Sequence, residues 1–207
     1  MTTLGRLHVI TDEVIQDRFD HLSLARLALD GGATVIQYRE KRPLADRARL
    51  AVAESLARLC ADRGATLIID DRVDLAALVG AGLHVGPNDI PVDRASRLVS
   101  GPIGATANRL DMAREPEVAE ATYLGCGPVY GTSSKGDRPP PTLGLDGLRA
   151  ICAAVSQPVI AIGGLTVERV PEVIEAGAYG VAVLGAIALA DDPAAMSARF
   201  VAAIEQA

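Results

Sequence analysis

Aromatic residues make up only 3% of this 207-residue chain, so Val, Ile, Leu and Ala must fill the core that a 49% hydrophobic content allows. Positive charge is short as well. A formal net charge of −6 and a pI near 5.1 leave no broad basic face, which excludes a nucleic-acid surface. Cysteine is limited to Cys60, Cys126 and Cys152, an odd number at wide spacing without a CxxC pair, so free thiols are expected rather than disulfides or a thiolate metal site. No long uncharged apolar run is present, and the opening "MTTLGRLHVITDE" lacks a signal-peptide layout, so a soluble, cytoplasmic protein with no membrane partner is expected. Histidine is scarce too: His8 and His84 fall inside apolar runs, and His21 is expected at the surface.

What is present is alternation. Short apolar runs at 7–11, 34–38, 66–70, 83–86, 103–106, 122–126, 158–163 and 179–185 are separated by helical patterns at about 20–31, 44–63, 72–80, 91–100, 109–120, 144–155, 166–176 and 192–205. Ala45, Ala48, Val52, Leu56 and Leu59 recur at helical steps and predict one apolar stripe. Asp192 before Pro193 reads as an N-cap with proline at the first helical position, opening a helix whose buried stripe is Met196, Phe200 and Ile204. Gly177 after "PEVIEA" reads as a helix C-cap. The runs are rich in Val and Ile, as parallel strands covered on both faces require. Eight such units predict a (β/α)8 TIM barrel over a single domain, 1–207, with a doubly wound open sheet as the competing fold. The segment 127–144, "GPVYGTSSKGDRPPPTLG", is too long for a plain connection and is expected to be functional or mobile.

Barrel enzymes bind ligands at the carboxyl ends of their strands. In "VIQYREK" (35–41) Gln37, Arg39 and Lys41 alternate, so an extended backbone turns one donor and two cations to the same side. Strand three ends at Asp70 and Asp71, and strand four leads to Asp89. Strand six enters a loop with Thr132, Ser133, Ser134 and Lys135, and the last two strands end in "IGG" (162–164) and "LGA" (184–186). Each group has an ordinary reading: solvated cations, aspartates capping the next helix, a polar turn, or tight glycine turns. Together they ring one barrel mouth. Carboxylates beside cations suit Mg2+ carrying a polyphosphate, and glycine-rich ends of the final strands suit a monophosphate. Gln37, Arg39 and Lys41 would then grip a pyrophosphate.

Seven stretches in order, "LHVITD" (7–12), "VIQYREK" (35–41), "DDRVDLA" (70–76), "GLHVGPNDIPV" (82–92), "YLGCGPVYGTSSKGD" (123–137), "VIAIGGL" (159–165) and "GVAVLGAI" (180–187), resemble the thiamine-phosphate synthase family over nearly the whole chain. The resemblance implies a Mg2+-dependent transferase that joins 4-amino-2-methyl-5-hydroxymethylpyrimidine diphosphate to 4-methyl-5-hydroxyethylthiazole phosphate, or its carboxylated precursor, and releases pyrophosphate. It implies that Gln37, Arg39 and Lys41 bind the diphosphate, with Arg39 and Lys135 catalytic, and that Asp71 and Asp89 hold Mg2+. It places Asp70, Thr106, Thr132, Ser134, Gly164, Gly185 and Ala186 among the substrate contacts, and it implies a homodimer. The chain departs from the family pattern in having Asp70 for an asparagine, "ATAN" (105–108) for a serine and histidine at Thr106 and Asn108, Gly185 for a serine and Gly131 for a proline. A thiazole tautomerase of the same superfamily and a non-catalytic thiazole-phosphate binder are the alternatives.

Overall fold

The computed structural model describes residues 4–131 and 141–207. The eight apolar runs form eight parallel strands: β1 Leu7–Thr11, β2 Val35–Tyr38, β3 Thr66–Asp70, β4 Gly82–Val85, β5 Ile103–Thr106, β6 Tyr123–Cys126, β7 Val159–Ile162 and β8 Gly180–Val183. They neighbour one another in chain order, and β8 pairs with β1, with Leu7 against Val181 and Val9 against Val183. The sheet is therefore a closed (β/α)8 barrel, and the open doubly wound alternative is excluded.

Alternation divides each strand between two cores. Ile10, Val35, Ile68, Tyr123, Ile160 and Ala182 pack together inside the barrel. Their neighbours in the chain, among them Val9, Ile36, Ile69, Leu124 and Val181, pack outward in the larger cluster shared with the helices. The period of two explains this division, and among the described residues Tyr123 is the one aromatic ring fully buried in the inner cluster, with Tyr179 packed against it.

The longer helices are His21–Asp30, Asp46–Asp62, Val73–Val79, Gly144–Ala154 and Pro193–Gln206. Asp192 caps the last by accepting from Ala195 N, and Phe200 and Ile204 are buried as expected. Gly177 follows the helix Val170–Glu175 at φ 103°, its N–H bonded to Ile174 O. Three expectations fail in detail. The segment 91–100 holds only the single turn Val92–Ala95. The segment 109–120 breaks into Leu110–Ala113 and Pro116–Ala119, because Pro116 lacks an N–H and drives Glu115 to an extended backbone, ψ 136°. In Asp46–Asp62 the buried line is Ala53, Leu56 and Cys60, while Ala45 and Ala48 are exposed. The three cysteines are free. Among the described residues no helix is long and apolar enough to cross a membrane.

Candidate active site

The carboxyl ends of the strands open into a cavity of about 680 Å³. Gln37 faces the barrel interior and is 6% exposed, its Nε2 donating to Asp70 Oδ1 at 3.1 Å. Beyond β2 the backbone stays tethered, since Arg39 N–H donates to Thr11 O at 3.1 Å. That bond keeps the alternation running past the strand end, and Arg39 and Lys41 line the same cavity as Gln37. The Arg39 guanidinium pairs with the Asp12 carboxylate, and its Nε lies 3.7 Å from Asp70 Oδ2. Lys41 Nζ lies 2.9 Å from Asp70 Oδ2 and pairs also with Asp71. Partial burial pulls the Lys41 pKa down, but Asp71 and Asp70 outweigh it and hold the ammonium above its usual range.

Asp71 has φ 61°, a left-handed backbone that no other non-glycine among the described residues adopts. Its N–H donates to His84 O at 2.9 Å. Such conformations are sparsely populated, and aspartate tolerates them better than most residues. Asp89 accepts from Gly86 N at 2.7 Å. Burial raises the Asp89 pKa, the Gly86 hydrogen bond opposes this, and the neighbouring Asp71 carboxylate pushes it up further. Neither residue caps a helix: Arg72 stands at the N-cap of Val73–Val79, and Asp89 closes the Gly86–Asp89 turn. Two converging carboxylates fit a hard, oxygen-loving divalent cation. Among the described residues no three His, Cys, Asp or Glu side chains form a metal cage, so such an ion would need oxygens from a ligand and water.

Across the cavity stand Thr106, Gly163, Gly164, Gly185 and Ala186. Gly163 and Gly164 have φ of 99° and 64°. A Cβ on Gly164 would sit 2.4 Å from Gly131 O and 2.7 Å from Tyr130 Cβ, so glycine here also lets the loop after β6 close against the loop after β7. Thr106 Oγ1 lies 3.1 Å from His84 Nε2, and His84 Nδ1 lies 3.2 Å from Tyr123 OH. Beside these glycines the lining carries apolar side chains, Ile162, Leu165, Leu184 and Leu189. The arrangement offers a charged rim on one side and a glycine-lined rim on the other. Thr132, Ser134 and Lys135 lie outside the described residues.

The structure thus brings together Gln37, Arg39, Lys41, Asp70 and Asp71 on one side, and Thr106, Gly164, Gly185 and Ala186 on the other. Asp89 stands just behind Asp71. Three residues escaped the sequence reading. Asp12 is 1% exposed and holds Arg39; it closes the "LHVITD" stretch at the end of β1. His84, which falls inside an apolar run of the sequence, lines the cavity. His21, expected at the surface, is 1% exposed, with Nδ1 2.8 Å from Thr11 Oγ1.

The family model for thiamine monophosphate synthase matches residues 7–187. A thiamine-phosphate synthase of Salinibacter ruber is 47% identical, covering 98% of this chain and 90% of the relative. One from Caldivirga maquilingensis is 43% identical over 97% of each chain. The solved structure of thiamine phosphate pyrophosphorylase from Pyrococcus furiosus superposes with a TM-score of 0.87 at 34% identity, covering 97% of this chain and 96% of the other. A 3-hexulose-6-phosphate synthase, at a TM-score of 0.68 and 22% identity over 96% of this chain and 99% of the other, shares the fold.

Proposed function

The chain belongs to the thiamine monophosphate synthase family and is a thiamine-phosphate-forming transferase, and from that premise we propose how its barrel mouth divides the work. The pyrimidine diphosphate lies with its diphosphate on Gln37, Arg39 and Lys41, and the thiazole phosphate lies with its phosphate toward Gly164, Gly185 and Ala186. The observation that supports this most is the alternation itself, two cations and a buried amide side by side at the end of β2 opposite a glycine-lined rim.

In the reaction the bond between the pyrimidine's exocyclic carbon and the diphosphate oxygen breaks, and its electron pair leaves with pyrophosphate. Arg39 and Lys41 meet charge that grows as the bond breaks, so they stabilise the transition state more than the bound substrate. The lone pair of the thiazole nitrogen then forms the new C–N bond. The apolar wall of Ile162, Leu165 and Leu184 keeps water from the electron-poor pyrimidine carbon. Holding both rings along one cavity converts the encounter into a step between fixed neighbours. Mg2+ held by Asp71 and Asp89 would neutralise charge on the departing pyrophosphate. Thr132, Ser134 and Lys135 are assigned to the phosphates by the family resemblance. No general base is required, which agrees with His8 and His21 being engaged in structural hydrogen bonds.

Pyrophosphate release, measured with both substrates and with or without Mg2+, tests this reading. Turnover that needs both substrates and the metal is expected. Turnover of a thiazole carboxylate phosphate alone, without pyrophosphate, would replace the reading with a tautomerase, and binding without turnover would replace it with a binder.

A further inference from the structure

Glu40 sits between Arg39 and Lys41 in the chain, so the same alternation that turns the cations inward turns Glu40 away from the cavity. Its side chain is only 3% exposed. A carboxylate buried there has to be compensated, and four donors do so. Arg42 gives its backbone N–H at 2.7 Å, its Nε at 3.0 Å and a terminal nitrogen, while His21 Nε2 lies 3.2 Å away. Burial alone would raise the Glu40 pKa, but the Arg42 and His21 hydrogen bonds override it and hold the group at about 2.

The cluster reaches further than one ion pair. His21 is the first residue of its helix, and its backbone N–H donates to Glu13 Oε1 at 2.9 Å. Glu13 also pairs with Arg42. The other His21 ring nitrogen meets the Thr11 hydroxyl at 2.8 Å. Burial lowers the His21 pKa against the pull of Glu13 and Glu40, and the two ring nitrogens face a carboxylate on one side and a hydroxyl on the other. Thr11 in turn accepts the Arg39 N–H through its carbonyl, and the next residue, Asp12, holds the Arg39 guanidinium. The exits of β1 and β2 and the start of one helix are thereby tied together directly behind Arg39. Buried ion pairs add little stability over apolar packing of equal volume, whereas they fix direction and spacing closely.

We propose that Glu40, bridged by His21 and Arg42, is a positioning residue: it fixes the exit of β2 so that Arg39 and Lys41 present together to the diphosphate. The proposal rests on the reading of those two cations as the diphosphate grip. None of Glu40, His21 and Arg42 lines the cavity, so the action is through the backbone.

The test is a double-mutant cycle between Glu40→Gln and Arg39→Ala, read by calorimetric binding of inorganic pyrophosphate with Mg2+ and by KM for each substrate. Glu40→Gln is expected to weaken pyrophosphate binding and raise the KM of the pyrimidine diphosphate by roughly ten- to a hundredfold, with the KM of the thiazole phosphate unchanged. On the Arg39→Ala background the same substitution should cost several-fold less than in the wild type, because one of the two groups it positions is gone. Losses that multiply fully, or that fall equally on both substrates, would show a structural role only and overturn the proposal. Normal pyrophosphate binding by Glu40→Gln beside weakened binding by Arg39→Ala would overturn it while leaving the grip intact. Normal binding by Arg39→Ala would overturn both. Arg42→Gln, at a side chain 34% exposed, carries the same expectations should Glu40→Gln fail to fold.

Discussion

Asp70 takes a hydrogen bond from Gln37 and faces both Lys41, at 2.9 Å, and Arg39, at 3.7 Å. Its oxygens are thus spent on the groups assigned to the diphosphate, and it competes with that substrate for them. Asp70→Asn, which restores the residue usual in the resembling family, should tighten pyrophosphate binding by about tenfold, the worth of one charge-assisted contact near a surface. Calorimetry on the variant would decide it, and weaker binding would instead make the Asp70 carboxylate a support for the cation site. At this scale the sequence carried the donors well and the acceptors poorly. Gln37, Arg39 and Lys41 declare themselves through a period of two that any extended chain must obey. Asp12 and His21 do not, because the partner that a buried charged group meets is chosen by strands and helices far away in the chain.

Among the elements, the loop after β7 shows how one residue can serve packing and the proposed phosphate site at once. Arg169 stacks 4.2 Å from the Tyr130 ring and donates to Gly164 O, while Tyr130 N–H donates to Gly163 O at 3.0 Å. Gly164→Ala has to place a methyl against Gly131 O at φ 64°. A loss of about 1–3 kcal/mol is expected, seen as a fall in Tm of several degrees, together with a raised KM for thiazole phosphate and an unchanged KM for the diphosphate. A variant with wild-type Tm and KM would remove Gly164 from both roles. Elements with their own start and stop signals were legible: Asp192-Pro193 opens a helix and Gly177 follows one. The helical pattern over 109–120 was not cut at Pro116, since apolar spacing runs on across a break that only the backbone sees.

For the whole molecule, acid is the informative stress. His8 lies inside the barrel at 1% exposure, its Nε2 3.1 Å from Gly5 O. Burial, opposed only in part by that hydrogen bond, lowers its pKa to about 4 from an ordinary 6.5. Between those values the unfolded chain holds a proton that the folded chain refuses, so stability falls as the pH falls through this window, by about 3 kcal/mol when complete. Glu40, held at about 2 against an ordinary 4.5, contributes stability above pH 4.5 that is lost on acidification towards 2. Denaturant unfolding from pH 7 to 4 should show the first slope, and His8→Gln should flatten it. An unchanged slope would assign the acid sensitivity elsewhere.

The pairing of Arg39 and Lys41 with Asp12, Asp70 and Asp71 has a consequence for traffic at the barrel mouth. Neither cation waits bare for an anion. With Asp89 beside Asp71, four carboxylates stand beside two cations. On the proposed reading, a diphosphate arriving with a divalent counter-ion would bring a metal for the carboxylates that its oxygens displace. On that reading diphosphate binding would be an exchange of partners at the cation end of the cavity, and the glycine end would be left to the metal-free thiazole phosphate.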